Sequence, residues 1–493
     1  MKKEPLVELI HSMTQSEKRY FKLHASFMFA GESKNYLKLY DLISKQQKYE
    51  EEKIKKEFNK TFFAQQKRQL FLKLLESLRS FHKDISINAQ IETQLNDFRI
   101  FIEKSMLTSA KKAIKKAEDL AIRFEKFPEL ILIKKAETEL FVAKNSPKEL
   151  SQHLEKLKLD LPFLVQNIEN ELKIEKEYLL FIKINQETEF LRSYIEKSER
   201  IGSNTLQLFK NKKEAVSIIS KIQINYMKGM YHFIVGEFED SYLNFSRQYE
   251  LYKQHQMPAK EFELESAKAL ANMILLCLLQ KNRKNYELLK NNFIQIKTQN
   301  TTLIDSLKYW NYLFELKYFC MQNRFNDALM FMLKKETEIT LLTDKLATSN
   351  LLNTERVYVI FDTCWIYISL QKFKDANKVL QHFFVGEGIK KDIFVFASFL
   401  SIFVDIEMNK FSLAESKIIS LKKLIKENNR LFEFEKITLK FLDKLILHTG
   451  EFNSKKEWND FAQQLEILKK LQFEKNAFVC FDFLKYSQSK YKY

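Results

Sequence analysis

Glycine and proline are scarce, with 7 and 5 in 493 residues. Sheet-rich and loop-rich chains use these residues at turn after turn, because glycine reaches positive φ and proline pre-sets a bend. Their scarcity argues against such folds and predicts long helices joined by tight connections. Cysteine is equally sparse. Cys277, Cys320, Cys364 and Cys480 are far apart, form no Cys-x-x-Cys pair, and three of them lie in apolar helical stretches. They read as small buried hydrophobes of a reducing compartment. Long apolar runs are missing too: Met273 to Leu279 and Ile393 to Val404 are too short or too interrupted to span a bilayer. The opening Met1-Lys-Lys-Glu-Pro-Leu-Val carries no unbroken apolar run after its lysines. No secretory leader is expected, and a cytoplasmic protein is.

Chemical signatures are also lacking. Only Gly386-Glu-Gly388 holds two glycines close together, without the residues that complete a phosphate-cradling loop, so it reads as a plain loop. No two of the 8 histidines have the i, i+4 spacing by which one helix grips zinc, and no Gly-x-Ser-x-Gly elbow is present. His232 reads as a packed or hydrogen-bonded core residue. Glu50-Glu51-Glu52 and Glu433-Phe-Glu435 read as solvated or helix N-terminal charges. We therefore expect no enzyme, no catalytic residues, no cofactor and no metal. The alternative is an active site whose groups converge from distant segments.

What the chain has is aromatic rings and lysine. Its 44 Phe and 20 Tyr predict a core of large rings filling the space between helices. The formal charge is +17, yet only 12 of the 81 basic residues are arginine, whose planar fork suits phosphates and base edges. Lysine is a good helix former with a soluble head, so the excess reads first as solvated helix faces and second as a nucleic-acid surface.

A short motif recurs: a turn residue, an aromatic two places on, and a small residue three further. It appears as Gly236-Glu-Phe238-Glu-Asp-Ser241, Asn323-Arg-Phe325-Asn-Asp-Ala328, Gln371-Lys-Phe373-Lys-Asp-Ala376 and Asn409-Lys-Phe411-Ser-Leu-Ala414. Ser105-Met-Leu107-Thr-Ser-Ala110 fits it, Asn145-Ser-Pro147-Lys-Glu-Leu150 fits it loosely, and Gly450-Glu-Phe452 opens a degenerate last copy. Such a motif marks the turn of an antiparallel helix pair. The aromatic packs into the hairpin, and the small residue lets the second helix approach the first. The 222–251 stretch resembles a tetratricopeptide repeat: Gly229 falls at the close-contact glycine, Gly236 at the turn, Phe238 and Phe245 at the two aromatics, and Ser241 at the small position. Ala328, Ala376 and Ala414 are 48 and 38 residues apart, against about 34 for that family, so these repeats are longer than usual.

The resemblance implies an all-α fold: an α-solenoid of antiparallel pairs over 86–493, matching best at 222–251 and 309–421. A helical N-terminal region, 1–85, would be a cap or a small separate domain. Helices are expected there over Leu6–Met13, Glu17–Phe27, Tyr36–Lys45, Glu50–Phe58 and Phe63–His82, with Thr14-Gln-Ser-Glu17 as a capping box. This opening, through Ser16-Glu-Lys-Arg-Tyr-Phe-Lys-Leu23 and Tyr36-Leu-Lys-Leu-Tyr-Asp41, is also similar to the start of uncharacterised bacterial repeat proteins.

In tetratricopeptide-like arrays the first helices line the concave side. Carried over, this implies a partner-binding stripe of Tyr226, Met230, Trp310, Phe361, Trp365, Phe399 and Phe403, suited to an apolar protein segment or peptide. The same rings could instead be ordinary core. The alternative function is a regulator touching nucleic acid through its first 90 residues, where 18 basic face 11 acidic residues. Tyr36–Lys45 and Tyr49–Phe58 would form a helix-turn-helix, with Lys53, Lys55 and Lys56 meeting phosphates. Its would-be recognition helix, however, opens with three glutamates.

Overall fold

The computed structural model describes residues 4–28, 33–46, 49–57, 63–83, 86–187, 190–193, 201, 203–210, 215–255, 259–347, 353–384, 390–447 and 454–490. The expected turns at Gly202, Gly386–Gly388 and Gly450–Phe452 lie outside them. The described residues are helical almost throughout, with no strand among them, and no helix among them is long and apolar enough to cross a membrane. The chain forms two compact units, residues 1–168 with 257–261, and residues 169–256 with 262–493.

The first unit opens with α1 (Pro5–Ser12), α2 (Gln15–Met28), α3 (Ser33–Ser44), α4 (Glu51–Glu57) and α5 (Phe63–His82). All five lie where the sequence places helices. The capping box at Thr14 forms: Glu17 N–H donates to Thr14 Oγ1 (3.2 Å), and Thr14 N–H donates to Glu17 Oε2 (2.6 Å). Leu70 and Leu74 of α5 are fully buried in an apolar cluster drawn from residues 6–74. A separate cluster holds residues 87–164, built by α6 (Ile87–Glu103), α7 (Leu107–Arg123), α8 (Phe127–Ala143) and the start of α9 (Pro147–Glu187). The expected boundary at 85/86 thus separates two cores inside one compact unit, and the division between units falls within α9.

The connections explain how so few glycines suffice. Between α6 and α7, α7 and α8, and α8 and α9, the central turn residue is Ser105, Glu125 or Asn145, each at positive φ (57°, 51° and 50°). Met106 N–H reaches back to Phe101 O (2.8 Å) and Ser105 N–H to Ile102 O (2.9 Å); Lys126 and Glu125 repeat the pattern with Ala121 and Ile122. This is the Schellman closure, which satisfies the last helix carbonyls. The sequence reading places no turn at Glu125: Phe127 stands at the motif's aromatic place, but a glutamate carries no signal for a left-handed conformation and Leu130 is not small.

The second unit repeats the device. It contains the rest of α9, then α10 (Ser203–Lys210), α11 (Ile218–Ile234), α12 (Phe238–Gln254), α13 (Ala259–Leu279, whose first residues belong to the first unit), α14 (Arg283–Ile294) and α15 (Thr301–Met321). There follow α16 (Phe325–Ala347), α17 (Asn353–Ser369), α18 (Phe373–Phe384), α19 (Lys391–Glu407), α20 (Phe411–Glu427), α21 (Glu433–Leu447), α22 (Ser454–Leu468), a 3-10 turn (Glu474–Phe478) and α23 (Phe483–Ser489). Gly236, Lys281, Asn323, Gln371, Asn409 and Asn429 take the positive-φ position. Four of these open a motif read from the sequence. Consecutive helices pack as pairs, α11 on α12, α15 on α16, α17 on α18 and α19 on α20, and next-but-one helices touch where α15 meets α17 and α17 meets α19.

In the α11–α12 pair the Ser241 hydroxyl donates to Gly229 O (2.7 Å), and a methyl on Gly229 would sit 2.8 Å from the Phe245 ring. Glycine at 229 is therefore what lets the Phe245 ring pack on the helix backbone.

Candidate functional site

The seven residues of the expected partner stripe belong to one apolar cluster, but not to an open groove. Trp310, Phe361, Phe399 and Phe403 are each 0–1% exposed. The Trp310 indole Nε1 donates to Glu355 Oε1 (3.2 Å), Phe361 meets Phe383, and Phe399 meets Phe434 edge-on. Phe403 is ringed by Phe441, Trp458, Phe461, Phe483 and Tyr486. Tyr226, Met230 and Trp365 are half-buried against the same cluster. Burial pushes the Tyr226 hydroxyl up to about 12, so this phenol stays neutral at physiological pH.

The chain's own C-terminal segment, 472–490, supplies part of that cover, over Trp365 and Phe403. Gln472 Nε2 donates to Glu237 Oε1 (3.2 Å), and Asn476 Nδ2 donates to the carbonyls of Leu191 (3.1 Å) and Ile234 (3.2 Å). Gly236 has φ +79°, and a methyl on it would come within 2.2 Å of Asn476 Oδ1. The Phe478 ring meets Phe434, and Phe481 stands edge-on to Trp365 at 5.3 Å. Lys485 bonds to Asn323 and lies over the rings of Phe325 and Trp365. Tyr486 O–H donates to Glu407 Oε1 (2.7 Å), while Lys490 pairs with Glu407 and lies over Phe373. One peptide stretch thus touches the turns or turn-flanking residues of four successive motif copies. The sequence reading missed this segment because it carries no repeat motif. Its one signal is the density of rings in Phe478-Val-Cys-Phe-Asp-Phe483.

Arg192 ties the same segment from beneath. Its side chain is fully buried and forks onto Glu435, with Nη1 to Oε1 at 2.9 Å and Nη2 to Oε2 at 3.1 Å; Nη2 also meets Glu474 Oε2 at 2.8 Å. The guanidinium stacks among Phe396, Phe432 and Phe434. Glu474 in turn accepts from the N–H groups of Glu433 and Phe434, closing the start of α21. Burial raises the Glu435 carboxyl, opposed by the Arg192 charge; desolvation of Arg192 is overcome by its two carboxylates, which hold it above its ordinary value. Glu433-Phe-Glu435, read from sequence as solvated or helix N-terminal charge, does stand in the first turn of α21, where Glu433 is exposed and Glu435 is 2% exposed.

Burial pushes the Cys277 thiol up to about 11 and raises Cys320 and Cys364 as well, which keeps all three protonated. Lys317 is spent on Asp362 at 3.1 Å, over the Tyr358 ring. His232, expected in the core, is half-buried and shares Nδ1 with Glu237 Oε2 at 2.7 Å.

At the N-terminal region α4 spans only seven residues. Lys53 pairs with Glu50, just before the helix, and Lys55 with Glu51 and Glu52, so adjacent glutamates pair with both lysines. The Lys56 side chain lies outside the described residues.

No protein-family model, no curated protein and no solved structure matches the chain.

Proposed function

We propose that this chain is a non-enzymatic scaffold of the tetratricopeptide-like kind. Its antiparallel helix pairs stack as an α-solenoid, and it holds a protein or peptide partner in the cytoplasm. The observation that carries the reading is the course of residues 472–490: a 3-10 turn followed by a short helix lies across four hairpin turns, anchored by rings and lysines. A surface that orders a peptide in cis has the chemistry to order one in trans. Being pre-formed, it loses little conformational freedom on binding. The fully buried rings Trp310, Phe361, Phe399 and Phe403 serve as core in this reading. The partner surface is the exposed edge formed by the turns around Asn323, Gln371 and Asn409. The nucleic-acid alternative loses ground because Lys53 and Lys55 are paired with the neighbouring glutamates 50–52.

Photo-crosslinking tests the scaffold. A crosslinking residue at Arg324, Lys372 or Lys410, all exposed on these turns, should yield the same discrete protein adduct in cells. The same residue at exposed Leu72 of α5 should not. Adducts absent at all three turns, or indistinguishable from those at Leu72, would reject the proposal.

A further inference from the structure

Three side chains with metal-binding atoms meet at the Gly236 turn, and the scaffold reading uses none of them as ligands. His232 comes from the last turn of α11, Glu237 stands at the N-cap of α12, and Asp240 lies in that helix's first turn. One ring nitrogen of His232 and one carboxylate oxygen from each acid all lie within 4.8 Å of one another. Nδ1 is 2.7 Å from Glu237 Oε2, while the other oxygen, Oε1, accepts from Gln472 Nε2 at 3.2 Å. That outer hydrogen bond holds the carboxylate with one oxygen turned to the imidazole, the arrangement by which second-shell groups orient metal ligands. The Tyr231 ring stands edge-on to His232, 5.1 Å away, and limits its rotation. Asp240 is exposed, so the cluster opens to solvent and an ion has a way in.

We propose that this cluster is a binding site for a divalent transition-metal ion of the zinc class. Imidazole nitrogen with two carboxylate oxygens suits zinc, copper or nickel better than the all-oxygen preference of calcium or magnesium. Zinc bonds of about 2.0–2.2 Å set neighbouring ligand atoms roughly 3–3.5 Å apart. The His232–Glu237 contact must open by about half an ångström and the exposed Asp240 must close in, both within side-chain reach. The ion displaces the proton shared between Nδ1 and Oε2: in a neutral imidazole the ring proton passes to Nε2, and from an imidazolium one proton leaves to solvent, so that the ring binds the metal in its neutral form. The amide dipoles at the start of α12 oppose a cation, and the two carboxylates outweigh them. Three protein ligands leave a further position for water or for a partner's side chain. The ion would lock the α11–α12 turn and, through Gln472, the C-terminal segment laid against it.

Helix-spacing rules miss such a site because its ligands come from two helices across a turn, at i, i+5 and i+8. The test uses the full chain freed of metal with a chelator, then titrated with zinc against a chromophoric chelator and with cobalt by visible absorption. Expected are one tight site, a zinc-dependent rise in melting temperature, and at least tenfold weaker binding in both His232→Ala and Asp240→Asn. Asp240 is exposed, so its variant keeps the test decisive even if His232→Ala folds poorly. No binding by the full chain overturns the proposal. Unchanged affinity in Asp240→Asn also overturns it, assigning the ion to one of the other histidines.

Discussion

Gly229 shows how a single atom sets a packing distance. The Phe245 ring lies where a side chain at 229 would begin, and Ser241 bonds the Gly229 carbonyl. Alanine there must push the ring aside or separate the helices. Overpacking of this kind costs about 1–3 kcal/mol, so Gly229→Ala should melt several degrees below wild type by circular dichroism. An unchanged melt would show that the ring has room to move. The left-handed turn residues show the opposite economy. Asparagine occupies the position at 145, 323, 409 and 429, where its short polar side chain tolerates positive φ. Ser105, Glu125, Lys281 and Gln371 hold it with less intrinsic aptitude. They stay there because the flanking helices pack and the Schellman bonds close.

At the scale of the element, α7 and α8 are joined by buried charge as well as by apolar contact. Lys134 of α8 meets Glu118 of α7 at 2.9 Å, both side chains nearly buried, and Lys115 adds a second contact. Burial works to raise the Glu118 carboxyl, but the hydrogen bonds from Lys134 and Lys115 prevail and hold it below its ordinary value of 4.5. A carboxyl depressed in the folded state stabilises the fold above that ordinary value. The contribution is lost as pH falls through the folded value. Melting temperature should therefore drop as pH is taken below about 4.5, and the drop should be shallower in Glu118→Gln. Parallel curves for the two proteins would remove Glu118 from the account.

Across the second unit, Arg192 connects parts of the chain 243 and 282 residues apart. Its removal leaves Glu435 and Glu474 buried beside each other without a counter-charge. Breaking a buried pair from one side costs about 3–5 kcal/mol. Arg192→Met should accordingly lower the melting temperature more than Gly229→Ala. Combining it with Glu435→Leu should cost less than the sum of the two single changes, since the second removes a charge the first left stranded. Additivity would mean that the three groups do not act as a unit.

Helix class, the five N-terminal helices, the capping box and the motif turns were legible in the sequence because each depends on residues within a few places of one another. Turn chemistry, amphipathic spacing and the Gly229–Ser241–Phe245 register all act over one hairpin, and the structure places them as the spacing implies. The turn at Glu125 was not legible, since packing forces the conformation on a residue that does not favour it. Nor could spacing alone distinguish an aromatic stripe that lines a groove from one that is core. Both need large rings at helical intervals, and the difference lies in what covers them. For Trp365 and Phe403 the cover includes Phe481, Phe483 and Tyr486, from a segment with no motif of its own. By itself the sequence determined the helix class and the motif turns between helices, because those are local free energies. Only the tertiary structure decided which faces are shut, where the buried Arg192 finds its two carboxylates, and which three side chains meet at Gly236, because those depend on contacts between residues that no sequence interval links.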